Sequence, residues 1–137
     1  VLTNWNSQAV LDKETGLVWE RTPSITLFFP GPAEEHCTNA TTTGARKGWR
    51  LPSIHELMSL NDPSVAAPGP TLPPGHPFTT GATGVQPADY WSATGAGPPG
   101  SWGVSFMNGN VFFNDGVFKS NLLHVWCVRG GMNADQY

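Results

Sequence analysis

Charge is scarce in this sequence. Only 12% of the 137 residues are Asp, Glu, Lys or Arg, and ten acidic residues outnumber seven basic ones, for a net charge of -3. So few lysines and arginines leave no basic stripe with which to grip nucleic acid. Long apolar runs are missing too, so no segment is long enough to cross a membrane as a helix. Catalytic spacings are equally absent. There is no G-x-S-x-G and no glycine-rich phosphate loop. His36, His55, His76 and His124 stand at no metal-ligand spacing. Glu56 has the chemistry of a catalytic acid, but its place three residues after Ser53 gives it a better role as a helix cap. The protein is therefore expected not to be an enzyme and to need no cofactor. One reservation is calcium, for which Asn114-Asp115 with Asp89 or Asp62 offers oxygen ligands, though at no calcium-loop spacing.

Cysteine is limited to two residues, Cys37 and Cys127, far apart in the chain. They form no C-x-x-C redox or zinc pattern. The spacing leaves two readings open, a pair of buried thiols or one long-range disulfide. The second implies an oxidising compartment. No signal peptide is visible from Val1 onward, and a mature form or an excised piece is the expectation.

What is present is turn-forming and aromatic. Sixteen Gly and thirteen Pro predict a loop-rich chain, and six Trp supply large apolar surfaces for a core or for binding anchors. The length suits a single domain over 1–137. "VLDKETGLVWER" (10–21) predicts a strand, a turn at Lys13–Gly16 and a second strand. "TPSITLFFPGP" reads as a loop with a short apolar segment. "AEEHCTNATTTG" (33–44) predicts a helix that starts after Pro32, carries Glu34 and Glu35 near its positive end and closes at Gly44. Ala33, Cys37 and Ala40 would share its inner face. Ser53 and Glu56 make a capping box that opens a helix from Ile54 to about Leu60, with Ile54, Leu57, Met58 and Leu60 toward the core.

Residues 63–88 are rich in Pro and Gly and predict a long loop. "YWSAT" (90–94) is a short strand. In "SWGVSF" (101–106), Trp102, Val104 and Phe106 alternate onto one face. Asn108-Gly109 then predicts a two-residue hairpin that pairs Phe106 with Val111. Phe113 would continue the inner face, and Met107, Asn110 and Phe112 would point away. "HVWCVR" (124–129) is a last strand. Helices first and a meander of strands after them predict an α+β domain.

Six stretches in this order carry a resemblance to a known family: "TGLVWER" (15–21), the helix cysteine Cys37, "GWRLPSIHELMSL" (48–60), "YWSAT" (90–94), "WGVSFMNGNV" (102–111) and "CVRGG" (127–131). Together the chain resembles the C-terminal domain of the Legionella collagen-like adhesin over nearly its whole length. The resemblance implies a C-type lectin-like fold, with two short helices packed on a meander of short antiparallel strands. It also implies one long-range disulfide, Cys37–Cys127, from the first helix to the last strand. No collagen-like Gly-X-Y stalk is present, and the seven basic residues are scattered along the chain, without the clustering a sulfated glycan would require.

One segment departs from the family. After "NGxV" the family usually continues in a polar run, whereas this chain reads "FFNDGVFKSNLLH" (112–124), with Trp126 where Arg is usual. Some proteins of this fold are targets of diversity-generating retroelements, which randomise adenines near the 3′ end of the gene. Randomised AAC codons can yield Phe, Asn, Asp, Gly, Val, Leu and His, the residues that make up 112–124 apart from Lys119 and Ser120. Such positions are expected on a display surface. The binding residues so predicted are Met107, Asn110, Phe112, Asn114, Asp115, Phe118, Asn121, Leu122, His124 and Trp126, with Tyr90 and Trp102 at the rim.

The expected function is a non-enzymatic, extracellular ligand- or receptor-binding domain on a cell surface or virion. Its partner would be a protein or glycan receptor on another cell or surface, with no nucleic acid and no membrane insertion, and with a homo-oligomer as an option. The alternative is a self-assembling subunit of a surface filament or virion. An enzyme of the formylglycine-generating fold group is a remote third.

Overall fold

A computed structural model describes residues 1–40, 43–66, 69–95, 101–114 and 122–130, with backbone alone for Pro30 and Asn114. The architecture is α+β. Two short helices accompany two three-stranded antiparallel sheets.

The first hairpin follows the sequence pattern. β1 (Ala9–Leu11) and β2 (Leu17–Glu20) pair antiparallel with Val10 opposite Trp19. On the far side of β2 lies β6 (Val128–Gly130), so the chain's last described strand closes the sheet order β1-β2-β6. The second sheet has the order β3-β4-β5, from β3 (Asp89–Gly95), β4 (Ser101–Ser105) and β5 (Val111–Asn114). Tyr90, Val104 and Val111 stand opposite one another and share one face; Trp91, Gly103 and Phe112 share the other. Gly103 leaves room for a neighbour, since a Cβ there would meet the Phe112 ring at 2.6 Å and the Tyr90 carbonyl oxygen at 2.7 Å.

Helix α1 (Pro30–Thr38) starts earlier and stops sooner than the sequence suggests. Proline occupies its first turn and Asn39 its C-cap, so Glu34 and Glu35 fall mid-helix and Gly44 closes nothing. Gly44 instead sits in a 3-10 turn (Thr43–Ala45), packed against Trp5. Ala33 and Cys37 are buried as expected, and Cys37 is bonded to Cys127, with Cα atoms 5.4 Å apart.

Helix α2 (Ile54–Met58) is short, and its capping box is complete. The Glu56 amide donates to Ser53 Oγ (3.2 Å) and the Ser53 amide donates to Glu56 Oε1 (2.8 Å). Arg50 adds a two-pronged contact to the same carboxylate, at 2.7 and 2.6 Å. Burial pushes the Glu56 carboxyl up, but the Arg50 and Ser53 hydrogen bonds and the Arg50 charge outweigh it and hold the group below its ordinary value. Strand β3 pins the helix, because Thr94 Oγ1 accepts from the Ile54 amide and Ala93 donates to the Pro52 carbonyl. Ile54, Leu57 and Leu60 are core residues, whereas Met58 is 42% exposed rather than buried. Ser53→Ala is expected to cost about 1 kcal/mol of stability and to leave binding unchanged. Chemical denaturation and a binding assay on the same sample check both halves.

Two buried clusters form the core. One gathers Leu17, Trp19, Leu57, Tyr90, Phe106 and Trp126 among others; the second gathers Ala33, Cys37, Trp49, Trp91, Val125 and Cys127. The Pro/Gly-rich 63–88 stretch is not all surface, since Thr71, Leu72 and Val85 are buried.

Glu20 ties β2 to the Cys127 segment and to the Thr43–Ala45 turn. Its carboxylate accepts from the Cys127 amide (3.0 Å) and from the Thr43 hydroxyl (3.2 Å), and it is only 6% exposed. Burial lifts its pKa from 4.5 to about 7, against the smaller opposing pull of those two hydrogen bonds. Between these values the folded chain keeps a proton that the unfolded chain releases. The stabilisation is full below 4.5, falls as pH rises and is gone above about 7. It is worth on the order of 3 kcal/mol. Glu20→Gln should remove this step. The difference in unfolding free energy between wild type and variant, followed from pH 4.5 to pH 8, isolates it from His36, His76 and His124. Burial lowers those histidines, so they pull stability in the opposite direction with pH. A wild type and variant that track in parallel would contradict the assignment.

Candidate functional site

The site is built by the last described segment, 122–130. Leu123 pairs with Phe28 through two hydrogen bonds (2.8 and 3.0 Å). His124 pairs with β3, donating to the Asp89 carbonyl and accepting from the Trp91 amide, both at 3.0 Å. The chain then passes between the two core clusters. Trp126 and Val128 enter the first, and Val125 and Cys127 enter the second.

This path corrects two of the predicted binding residues. Trp126 is fully buried, with its ring against Trp19, Phe78, Tyr90 and Phe106 and its indole N–H donating to the Glu20 carbonyl (2.8 Å). Tyr90 is fully buried as well, and its hydroxyl accepts from the Gln86 amide (2.8 Å). Burial pushes that hydroxyl up to about 12. Each lies where its backbone passes between the two clusters, Tyr90 beside Trp91 in β3 and Trp126 between Val125 and Cys127, so neighbouring side chains are enclosed on both faces.

Three others meet. Met107, Leu122 and His124 line one groove of about 360 Å³, with Leu27, Asp89 and Leu123. Met107 and Leu27 are each 44% exposed and Leu122 is 41% exposed. The register of the Phe28–Leu123 pair sets Leu27 opposite His124 and Phe29 opposite Leu122, so these four share a face. His124 stacks on Tyr90, with ring centroids 5.2 Å apart, and its Nδ1 is buried with no hydrogen-bond partner among the described residues. Burial holds its pKa below the ordinary value, partly countered by the Asp89 charge.

The remaining predicted residues are dispersed. Phe113 and Val111 are exposed on β5, and Phe113 packs on half-buried Trp102, with centroids 5.4 Å apart. Phe112 is half-buried on the opposite face of that sheet, over Gly103. Asn110 is exposed in the β4–β5 connection, and Asn114 ends β5. Asp115, Phe118 and Asn121 lie outside the described residues. So does part of the calcium arrangement, which needs Asp115; the Asp62 carboxylate already accepts from the amide and hydroxyl of Ser64. Among the described residues no three His, Cys, Asp or Glu side chains gather.

The segment before α1 was the part of the site that sequence reasoning missed. Ile25, Leu27 and Phe29 alternate outward in "ITLFF", at 52%, 44% and 41% exposure. That alternation was its only legible trace. The basic residues are also less scattered than the chain suggests. The Arg46 and Arg129 guanidiniums lie 4.7 and 5.0 Å from the Trp5 ring centroid, and Arg129 Nε donates to the Lys47 carbonyl.

The family pattern of the Lcl C-terminal domain matches residues 8–129. The chain belongs to the Lcl C-terminal domain family. The Lcl match takes in both cysteines, the capping box, β1 to β5 and the whole groove. Membership is consistent with an adhesin-like extracellular domain. No curated protein matches the chain significantly. Among the described residues no helix is long and apolar enough to cross a membrane.

Proposed function

We propose that this Lcl C-terminal domain is a non-enzymatic, extracellular binding domain of C-type lectin-like fold, whose groove contacts a protein or glycan receptor on another cell or surface. The carrying observation is that Met107, Leu122 and His124 converge with Leu27 in one groove, where three large apolar side chains remain exposed. Clustered apolar anchors of this kind suit binding rather than solvation. The bridge between Cys37 and Cys127 supports an oxidising compartment and leaves neither thiol as a nucleophile. Residues 112–124 are the diversified stretch, and a reverse transcriptase with a near-identical template repeat beside the gene is the expected signature.

The test is direct. Fluorescently labelled protein should be retained on at least one of a panel of bacterial and animal cell surfaces or immobilised glycans, and unlabelled protein should compete it off. Retention on none of them would count against the reading. A second reading, self-assembly, is favoured by Val111 and Phe113 exposed on β5. Sedimentation separates the two: a monomer at micromolar concentration supports the binder, and concentration-dependent association supports the subunit.

A further inference from the structure

Resting on that reading of the groove, we infer that its ligand is a protein segment presenting a basic side chain, whose methylene stem lies on Leu27, Met107 and Leu122 while its charged head meets Asp89. Three aliphatic walls are in place, each more than two-fifths exposed. A lysine or arginine stem covers such surface while keeping its head polar. Among the described residues, the acidic side chain that lines the groove is Asp89. It is only half-buried, and its carboxylate accepts no hydrogen bond from the described residues. Burial disfavours the charged form of the neighbouring His124, partly countered by Asp89 itself. A carboxylate or sulfate ligand would face Asp89 with like charge. A neutral sugar would place its hydroxyls against leucine and methionine side chains, leaving them short of partners. The chain as a whole is also acidic, at -3, which favours approach of a basic partner.

The experiment uses n-hexylammonium as the probe, with hexanoate and a neutral methyl glycoside beside it, on the intact 137-residue chain. Methyl resonances of Leu27, Met107 and Leu122 report binding. Hexylammonium should shift all three in a saturable way, and the other two probes should not. Asp89→Asn should weaken hexylammonium about fivefold, the scale of one partly exposed ion pair. The main-chain bond from His124 to the Asp89 carbonyl survives that substitution, and the wild-type comparison of the three probes stands without any variant. Hexanoate binding as tightly, glycoside binding in preference, no response to hexylammonium, or an unaltered Asp89→Asn would each overturn the inference. Cell retention that depends on the groove, together with no preference for the cation, would leave the binding surface standing and remove only its basic ligand.

Discussion

Replacing Cys37 and Cys127 together by Ser is expected to remove about 4–5 kcal/mol of stability. The bridge spans 90 residues, and releasing a loop of that length enlarges the unfolded ensemble by roughly this amount in the chain-entropy treatment. A domain of this size is stabilised by only about 5–15 kcal/mol in all, so the variant should sit near the edge of folding. The effect also has a local side. Cys127 is the residue whose amide holds Glu20, and its neighbours Trp126 and Val128 enter the larger core. Loosening the bridge therefore loosens the segment that carries Leu122 and His124 to the groove. Denaturant unfolding of wild type with and without reductant, beside the double Ser variant, measures the loss. A change under about 1 kcal/mol would show that the fold does not lean on the bridge.

Trp126→Ala should cost about 3–5 kcal/mol, the range for emptying a large aromatic site in a packed core. The indole touches four other aromatic rings, and its N–H satisfies the Glu20 carbonyl. Removing it leaves both a cavity and a buried acceptor without its partner. The outcome separates two views of the C-terminal stretch. If Trp126 were a display residue, its loss would abolish binding at unchanged stability. In the structure it is a core residue, so the melting transition should drop first, and any binding that survives at low temperature should keep its affinity.

The elements set by local chemistry were legible in the chain. Ser53 and Glu56 announce α2, and the turn at Lys13–Gly16 between apolar strands announces the β1–β2 hairpin. Tertiary competition decided the rest. Asn108-Gly109 predicts a tight hairpin, yet Val111 pairs with Val104 rather than with Phe106. Phe106 is engaged elsewhere, since its amide donates to Ala88 and its carbonyl accepts from Thr71. The register moves by two residues, so the faces do not swap, and Phe113 stays on the Trp102 side while Phe112 stays opposite. Trp126 was misplaced for a different reason. "VWCV" (125–128) is an unbroken apolar run, the mark of a strand buried on both faces, and periodicity alone does not say which cores enclose it. The outward set Ile25, Leu27 and Phe29 gains meaning only once Phe28 pairs with Leu123, nearly a hundred residues later in the chain.

The central claim is that exposed side chains of the groove bind a partner that the core does not need. Leu27→Ser, Met107→Ser and Leu122→Ser combined in one protein test it, with cell-surface retention and thermal unfolding measured on the same preparation. All three residues are more than two-fifths exposed, so the melting transition should stay cooperative and close to that of wild type. Retention should fall to background. Wild-type retention in a variant that still folds would contradict the account.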